Sequence, residues 1–472
     1  MCFYPQKYFH FMMKQFRTLI YFEWLNFRSE RSMLLFAILI FSAGLYGIYS
    51  GNSLINNQRS KLEALDLLYQ ENIAEMKHKF PGDADAGDIG YYHSAFAKNI
   101  PDNWAKLSIG QRDVSPPYLK LRLLAVQNQL YASENTNPFK LSVGSFDLAF
   151  VFVFLLPLFI ISISFNVLSS ERELGTLALI LSFPVKLSTF LLAKLAFRFL
   201  VVAAIVFSLS LIGWFWAEVS IDARALTWLT ALLIYALFWF SVSFAIIAIK
   251  RNSAFNAVSL LGIWLLLVVI FPVLAKTFSD IKIPVDEGLA ISLKQRQEVH
   301  SGWDKPRAET MYRFFKRYPE FKDTASVEGA FNWKWYFAFQ ELGDASVEPL
   351  FATYMRKLSD RSAMSANLNM FSPAAKLQQT MNAITGTGFQ SQLDFLIASK
   401  DYHERLKAFY YPFLFKDLPF THEDFKREPQ MSFLAKADDI RIRNGLTAIL
   451  GATLLAILIG LVIYRSSKNI LD

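Results

Sequence analysis

Six long apolar stretches constrain the fold of this sequence more than any other feature. Each is about 20 residues long, the length that a helix needs to cross roughly 30 Å of hydrocarbon. The chain is also 53% hydrophobic and only 19% charged, more apolar than soluble domains usually are. We therefore predict an all-α membrane protein with six transmembrane helices. The predicted spans are residues 32–50, 146–168, 195–217, 225–249, 258–275 and 445–464.

The distribution of lysine and arginine predicts which side of the membrane each connection faces. Basic residues recur in the N-terminal segment and in every second connection, whereas the short turn after the third span carries Glu218 and Asp222. Because basic short loops stay in the cytoplasm, we expect a bacterial inner-membrane protein with both termini inside. Residues 1–31 mix aromatic and basic side chains, which predicts a cytoplasmic interfacial helix, and residues 465–472 form a short cytoplasmic tail.

Two long connections, residues 51–145 and 276–444, then lie outside the cytoplasm. Their amphipathic helices need partners for their apolar faces, so we expect the two loops to pack into one mainly helical extracytoplasmic head. Alternating strand patterns are scarce. Helices are predicted at 62–80, 117–132, 287–299, 308–317, 327–341, 347–360, 373–383 and 390–408.

Several functional classes find little support in the residues. The chain has one cysteine and no histidine pair at metal-binding spacing, so we expect no metal and no other cofactor. The middle thirds of the spans hold no charged residue, which disfavours an ion-coupled carrier. The net charge of +8 is spread along the chain without a long basic run, which gives no indication of nucleic-acid binding. No phosphate-binding GxxxxGK[ST] loop is present, so any energy source lies in another subunit.

The connection between the second and third spans carries the most informative motif, SSERELGTLALILSFPV from residue 169 to 185. Ser170 and Glu173 have the spacing of a capping box, which predicts a short cytoplasmic helix over residues 170–183. The apolar residues of this helix recur at helical spacing, and Pro184 ends it. We expect the helix to present Glu171, Arg172, Glu173 and Thr176 to a partner.

This motif resembles the loop of type-2 ABC exporter permeases that forms the coupling helix, seated in a groove of the ATPase subunit. The resemblance implies a permease subunit of an ATP-driven transporter, with a separate ABC ATPase and a second permease, identical or paralogous, as partners beside the membrane lipids. It also implies that the chain itself is not an enzyme. The residues that the resemblance assigns to ATPase coupling are Glu171, Arg172, Glu173, Gly175, Thr176, Ser182 and Pro184.

The long outer connections depart from the short-loop members of that family and resemble a subgroup with large extracytoplasmic loops. An alternative hypothesis is a membrane-anchored extracytoplasmic sensor or scaffold without transport activity. Dense aromatic clusters at 331–337 and 409–413 suit either a sugar or lipid site or the core of the head, and we favour core or membrane contact. The cargo is not predicted by the sequence.

Overall fold

A computed structural model describes residues 5–82, 84–126, 130, 146–329 and 331–466, with side chains from residue 15 onward. Of the described residues, 78% are helical. The helices in chain order are α1 (Pro5–Ser29), α2 (Arg31–Lys79), α3 (Ala86–Tyr92), α4 (Leu148–Phe150, Val151–Leu155 and Leu156–Ser164), α5 (Ser169–Glu173), α6 (Thr176–Ser182), α7 (Leu187–Ala217), α8 (Ala223–Ile247), α9 (Ser253–Trp264, Leu265–Ile270 and Phe271–Lys282), α10 (Glu287–Ser301), α11 (Arg307–Arg317), α12 (Trp333–Leu368), α13 (Pro373–Thr385), α14 (Phe389–Phe415) and α15 (Asp439–Ser466).

Six of these elements are long and apolar enough to cross a membrane, as predicted. They are α2, α4 with α5, α7, α8, α9 and α15. The first differs from its prediction, because α2 does not end near residue 50 but continues without a break for 49 residues, about 73 Å. Buried Leu62, Leu65, Tyr69 and Met76 keep its helical period beyond the apolar stretch, and Phe80 follows its last residue.

Two of the candidate spans contain a π-helical turn, Val151–Leu155 in α4 and Leu265–Ile270 in α9. Such a turn shifts the backbone hydrogen bonds by one residue and leaves carbonyl groups without their helical partner. Side chains from other elements bond these carbonyls. Tyr235 Oη donates to Val153 O at 2.8 Å, Trp264 Nε1 donates to Phe154 O at 3.3 Å, and Ser372 Oγ donates to Leu267 O at 2.6 Å.

The buried apolar residues form two large cores. The first lies among the candidate spans, and the second lies in a unit that we call the head, formed by the long connections after α2 and α9. Helix α13 was predicted as part of the head domain, but Leu377, Met381 and Ile384 belong to the first core. The reason is that α13 packs closely on α15. Gly445 of α15 has no side chain, so Thr380 of α13 can approach its Cα.

The head contains a small sheet that the sequence did not predict. Its strands are β1 (Ala95–Ile100), β2 (Tyr118–Leu121) and β3 (Met431–Leu434), in the order β2-β1-β3. The helix predicted at 117–132 is therefore wrong over β2, where Leu119 and Leu121 are buried and Lys120 between them is exposed. Residues 127–129 and 131–132 of that prediction lie outside the described residues. Because β1 and β3 come from different connections and pair in parallel, the sheet joins the two long connections.

In the rest of the head, α10 and α11 lie close to their predicted positions, and α14 continues to Phe415, seven residues beyond its predicted end. Helix α3 was not predicted, and α12 joins the helices predicted at 327–341 and 347–360 into one of 36 residues. Gly343 lies inside it and faces α10, where a Cβ would lie 2.7 Å from Val299 Cγ2. The aromatic cluster at its start is mainly core, since Trp335 and Phe337 are buried.

Candidate functional site

The 169–186 segment between α4 and α7 consists of two short helices rather than the single helix predicted at 170–183. Helix α5 ends at Glu173, and α6 begins at Thr176. Gly175 lies between them with φ +74°, a left-handed conformation that interrupts an α-helix and that glycine adopts without steric cost. The segment therefore forms a bent turn with two helical arms.

The predicted capping box does not form. Ser170 Oγ donates to Asn166 O at 2.7 Å, because α5 follows directly on the last turn of α4 and has no free N-terminus to cap. The Glu173 carboxylate instead accepts hydrogen bonds from Ser253 N at 2.8 Å and from Ser253 Oγ at 2.9 Å. Glu173 thus binds the first residue of α9, on a different part of the chain.

Two further contacts attach α5 to the short connection between α8 and α9. Arg172 Nη1 donates to Lys250 O at 2.5 Å, and the hydroxyl groups of Ser169 and Ser253 lie 2.7 Å apart. Together with Glu173, these contacts hold α5 against residues 250–253. A displacement of α5 would therefore act on the first turn of α9.

Glu171 links the segment to α7. Its Oε1 lies 2.6 Å from Lys194 Nζ, and its carboxylate also accepts a hydrogen bond from the Thr176 hydroxyl group, which donates to Glu171 O at 3.1 Å as well. The side chain of Glu171 is 19% exposed. It therefore faces inward, whereas the sequence motif predicted that it faces a partner.

Lys194 belongs to a buried cluster of four charged residues. Its Nζ lies 3.3 Å from Glu23 Oε1 on α1, and Arg198, one turn further along α7, lies 3.9 Å from Glu23 Oε2. Arg198 also donates to Ile163 O in α4. Two acids and two bases balance each other here, which is what burial of charge requires. The cluster connects α1, α5 and α7.

Glu23, Lys194 and Arg198 were not predicted from the sequence as site residues. Two basic residues at i and i+4 near the end of an apolar helix were the available signal, because such residues usually have acidic partners when buried. The sequence did not indicate the partner, since Glu23 lies in an amphipathic helix with several other polar residues.

Helix α1 also contacts the far end of the segment. Gln15 Nε2 donates to Pro184 O at 3.1 Å. The Phe197 ring of α7 lies 6.4 Å from the Trp24 ring and 5.9 Å from the Phe27 ring, measured between centroids. The segment is thus held at its start by α9, at its middle by α7 and at its end by α1.

The outer surface of the segment is apolar and exposed. Leu174 is 77% exposed, Leu179 65% and Phe183 60%, while Leu177 packs inward against a small core that includes Leu191. Several large apolar side chains exposed within ten residues of one segment are typical of an interaction surface. We call Leu174, Leu179, Leu181 and Phe183 the exposed patch.

The seven predicted coupling residues thus differ in their surroundings. Glu171, Arg172, Glu173 and Thr176 form hydrogen bonds within the chain, and Gly175, Ser182 and Pro184 lie exposed near the patch. Their role in ATPase coupling remains a prediction. Among the described residues, no group of three histidine, cysteine or acidic side chains could hold a metal ion.

The head contains buried carboxylates, but their partners indicate a structural role. Glu341 accepts hydrogen bonds from Lys407 Nζ at 2.9 Å, Tyr318 Oη at 2.9 Å and Tyr411 Oη at 3.2 Å, and pairs with Arg317 at 3.2 Å. Burial and the nearby Glu341 carboxylate raise the pKa of Tyr318 to about 12. Glu341 thus connects three helices of the head and is not exposed to a reactant.

One part of the chain matches a known family model. Residues 290–433, which run from α10 to β3 in the head, match a domain of unknown function (DUF3526). No curated protein matches the chain. The match covers neither the candidate spans before α10 nor the 169–186 segment.

Proposed function

We propose that this chain is the permease subunit of an ATP-driven ABC transporter that exports an unidentified substrate across the bacterial inner membrane. In this proposal the six candidate spans cross the membrane, both termini and the 169–186 segment face the cytoplasm, and the head lies outside. A separate ABC ATPase subunit and a second permease, identical or paralogous, complete the transporter.

The observation that carries the proposal is an exposed patch on a firmly held segment. Burying Leu174, Leu179, Leu181 and Phe183 against a partner would remove large apolar surfaces from water, a gain of about 1.5–3 kcal/mol for each side chain that becomes fully buried. The same segment is bonded to α7, α9 and α1, so a movement of the partner reaches two candidate spans directly. An ATPase-driven lever needs both properties.

Two further findings support the proposal. The domain matched by the head often occurs in permeases of the ABC-transporter type. The described part of the chain also has six helices long and apolar enough to cross a membrane, a number compatible with such a permease.

Cysteine labelling tests the membrane topology that the proposal requires. Cys2 is the only cysteine, so Cys2→Ser gives a background without thiols. In that background Ser182→Cys reports on the exposed segment and Arg313→Cys on the exposed surface of the head. A membrane-impermeant maleimide added to spheroplasts should label position 313, and should label position 182 only after the membrane is disrupted. The opposite pattern would contradict the proposal.

Co-purification tests the ATPase partner. The tagged chain, co-expressed with an ABC ATPase encoded beside its gene, should retain the ATPase in mild detergent. Leu179→Asp with Phe183→Asp should abolish retention, because each substitution would bury a carboxylate at the contact. Leu67→Asp is the matched control, since Leu67 is 69% exposed on α2 in the head. A chain that retains no ATPase, or retains it equally in all variants, would favour the sensor or scaffold hypothesis.

A further inference from the structure

The head has an open cleft of about 720 Å³ between the end of β2 and α10. Ligand sites for small molecules are typically about 300–1,000 Å³, so the cleft has the size of a binding site. The described lining residues are Lys120, Arg122, Leu124, Ala125, Ser292, Leu293, Gln295, Arg296, Val299, His300, Trp303 and Gln340.

The charged side chains among the described lining residues have one sign. Lys120, Arg122 and Arg296 are cationic, and none of the described lining residues is acidic. Within the described part of the chain, Lys120 and Arg296 form no ion pair. A cleft with this lining favours a ligand that carries a phosphate or carboxylate, which cationic side chains bind through charge-assisted hydrogen bonds.

A rigid aromatic ring borders the cleft. Trp303 is 48% exposed, and its position is fixed by three neighbouring rings. Its centroid lies 5.3 Å from that of Trp335, 5.7 Å from that of Tyr336 and 5.1 Å from that of Phe339. A half-exposed indole offers an apolar surface beside a polar tip, which suits a ligand with both kinds of group.

Helix α10 continues the direction of α9 away from the first core. Asp280 near the end of α9 pairs with Arg361 in the second half of α12, with Oδ1 and Nε 3.4 Å apart. Gln295 in the second half of α10 donates through Nε2 to Asp344 Oδ1 in the first half of α12 at 2.6 Å. Both α9 and α10 thus run antiparallel to α12. The far half of α10, where the cleft lies, is the half farther from α9.

An apolar strip leads along this path from α9 to the cleft. Ile281 near the end of α9 is 71% exposed, Leu289 63% and Leu293 59%. Leu289, Leu293, Arg296 and His300 follow one another at spacings of four, three and four residues, so they lie on one face of α10. The face is apolar near α9 and basic at the cleft.

We propose that this surface binds an anionic lipid, with its phosphate group in the cleft and its acyl chain along the apolar strip. A lipid of this kind complements both parts of the surface, because its acyl chain would cover the exposed Leu289 and Leu293. Its phosphate group would contact Arg296 and Lys120. A second copy of the protein fits less well, since two copies meeting on this face would bring like charges together. A role as the transported cargo rests on the function proposed above, whereas the binding itself does not.

Calorimetric titration of the purified full-length chain in a neutral detergent tests the proposal. The probes are dihexanoyl phosphatidylglycerol, dihexanoyl phosphatidylcholine, glycerol 3-phosphate and hexaglutamate. We expect phosphatidylglycerol to bind at one site and the other probes at least tenfold more weakly, because each lacks either the net negative charge or the chains. No ATPase subunit takes part, so this result is independent of the partner test described above.

Matched variants assign the binding to the cleft. Arg296→Gln should weaken phosphatidylglycerol binding by about tenfold through loss of a charge-assisted contact, and Arg296→Lys should retain most of it. Leu293→Asn should weaken it by about fivefold through loss of apolar contact. Arg313→Gln removes an exposed charge on α11 and should change nothing.

Four results would overturn the proposal. Equal binding of phosphatidylcholine, or equal losses in Arg296→Gln and Arg313→Gln, would show that the cleft does not recognise the headgroup. Hexaglutamate binding as tightly as phosphatidylglycerol would indicate a groove for acidic peptides. If Leu293→Asn halved the mass of the purified protein particle and left lipid binding unchanged, another copy of the chain, and not a lipid, would cover the apolar strip.

Discussion

Lys194 and Glu171 form an ion pair, with Nζ and Oε1 2.6 Å apart, that joins the 169–186 segment to α7. The same ammonium group lies 3.3 Å from Glu23 of α1, so one lysine neutralises two carboxylates from separate elements. The side chain of Lys194 is only 6% exposed, and that of Glu23 is 8% exposed. Little solvent is available to replace the lysine.

Replacing Lys194 should therefore destabilise the protein. Lys194→Gln leaves two mostly buried carboxylates close together, with only Arg198 nearby to compensate. Removing one partner of a fully buried pair costs about 3–5 kcal/mol, and the partial exposure of Glu171 reduces the expected loss to roughly 1–3 kcal/mol. Unfolding of the detergent-solubilised chain by titration with a denaturing detergent measures it.

A double-mutant cycle distinguishes this pair from an ordinary surface contact. The variant with both Lys194→Gln and Glu171→Gln should recover part of the loss, because it removes an unpaired charge along with the pair. Lys276→Gln should have little effect, since Lys276 is 73% exposed in its pair with Asp280. Losses that simply add for positions 194 and 171 would contradict the predicted coupling.

Gly175 should be replaceable only at the cost of backbone strain. A Cβ at this position would meet no atom within 4 Å, but the φ of +74° costs a side-chain residue roughly 1–2 kcal/mol. Gly175→Ala should thus speed amide hydrogen exchange in α5 and α6 and leave the head unchanged. Gly262→Ala is the opposite control, because Gly262 is helical and equally open, and alanine there should stabilise α9. Equal exchange in Gly175→Ala and the unmodified chain would contradict the prediction.

The sequence predicted the six apolar helices well because their signal is local. Hydrophobicity over about 20 residues requires no knowledge of neighbours, and the observed helices overlap all six predicted spans. Their ends were less predictable. The helix α2 continues to Lys79 through residues that are polar overall, held by buried Leu62 and Tyr69, and only the packing of the head explains that continuation.

Features that depend on distant contacts were not predictable. The spacing of Ser170 and Glu173 satisfies a capping box, yet Glu173 bonds Ser253, which lies 80 residues further along the chain. Strand β2 is four residues long and pairs with a strand about 20 residues earlier, so its alternation is too short to identify alone. Helix α13 has an ordinary amphipathic pattern, and nothing local indicates that it packs among the candidate spans.

Ser372 should contribute strongly to the position of α13. Its hydroxyl group donates to Leu267 O in the π-helical turn of α9 and accepts from Ala375 N as an N-cap. Ser372→Ala removes a cap, worth about 1 kcal/mol, and leaves the partly buried Leu267 carbonyl without this partner, which costs about 1 kcal/mol more. We expect a loss of roughly 2 kcal/mol in denaturant unfolding and faster hydrogen exchange in α13.

Two variants control for this effect. Ser372→Thr keeps the hydroxyl group and should retain most of the stability. Ser326→Ala removes an exposed hydroxyl group that bonds Glu328 and should change stability little. A Ser372→Ala chain as stable as the Ser326→Ala chain would show that the bond to Leu267 contributes nothing.

His403 should make the stability of the head depend on pH. Burial and the nearby Lys407 ammonium lower the pKa of His403 to about 3, while its Nε2 donates to Arg122 O at 3.1 Å. The unfolded chain binds a proton near pH 6.5 and the folded chain does not, so this stability is complete above pH 6.5 and is lost as the pH falls towards 3. Between pH 7 and 4.5 the loss should be roughly 3 kcal/mol.

Thermal unfolding of His403→Gln should show a correspondingly weaker pH dependence, whereas His78→Gln, at an exposed position, should behave like the unmodified chain. A pH profile that His403→Gln leaves unchanged would refute this account, because no proton would then be excluded from the folded head at that position.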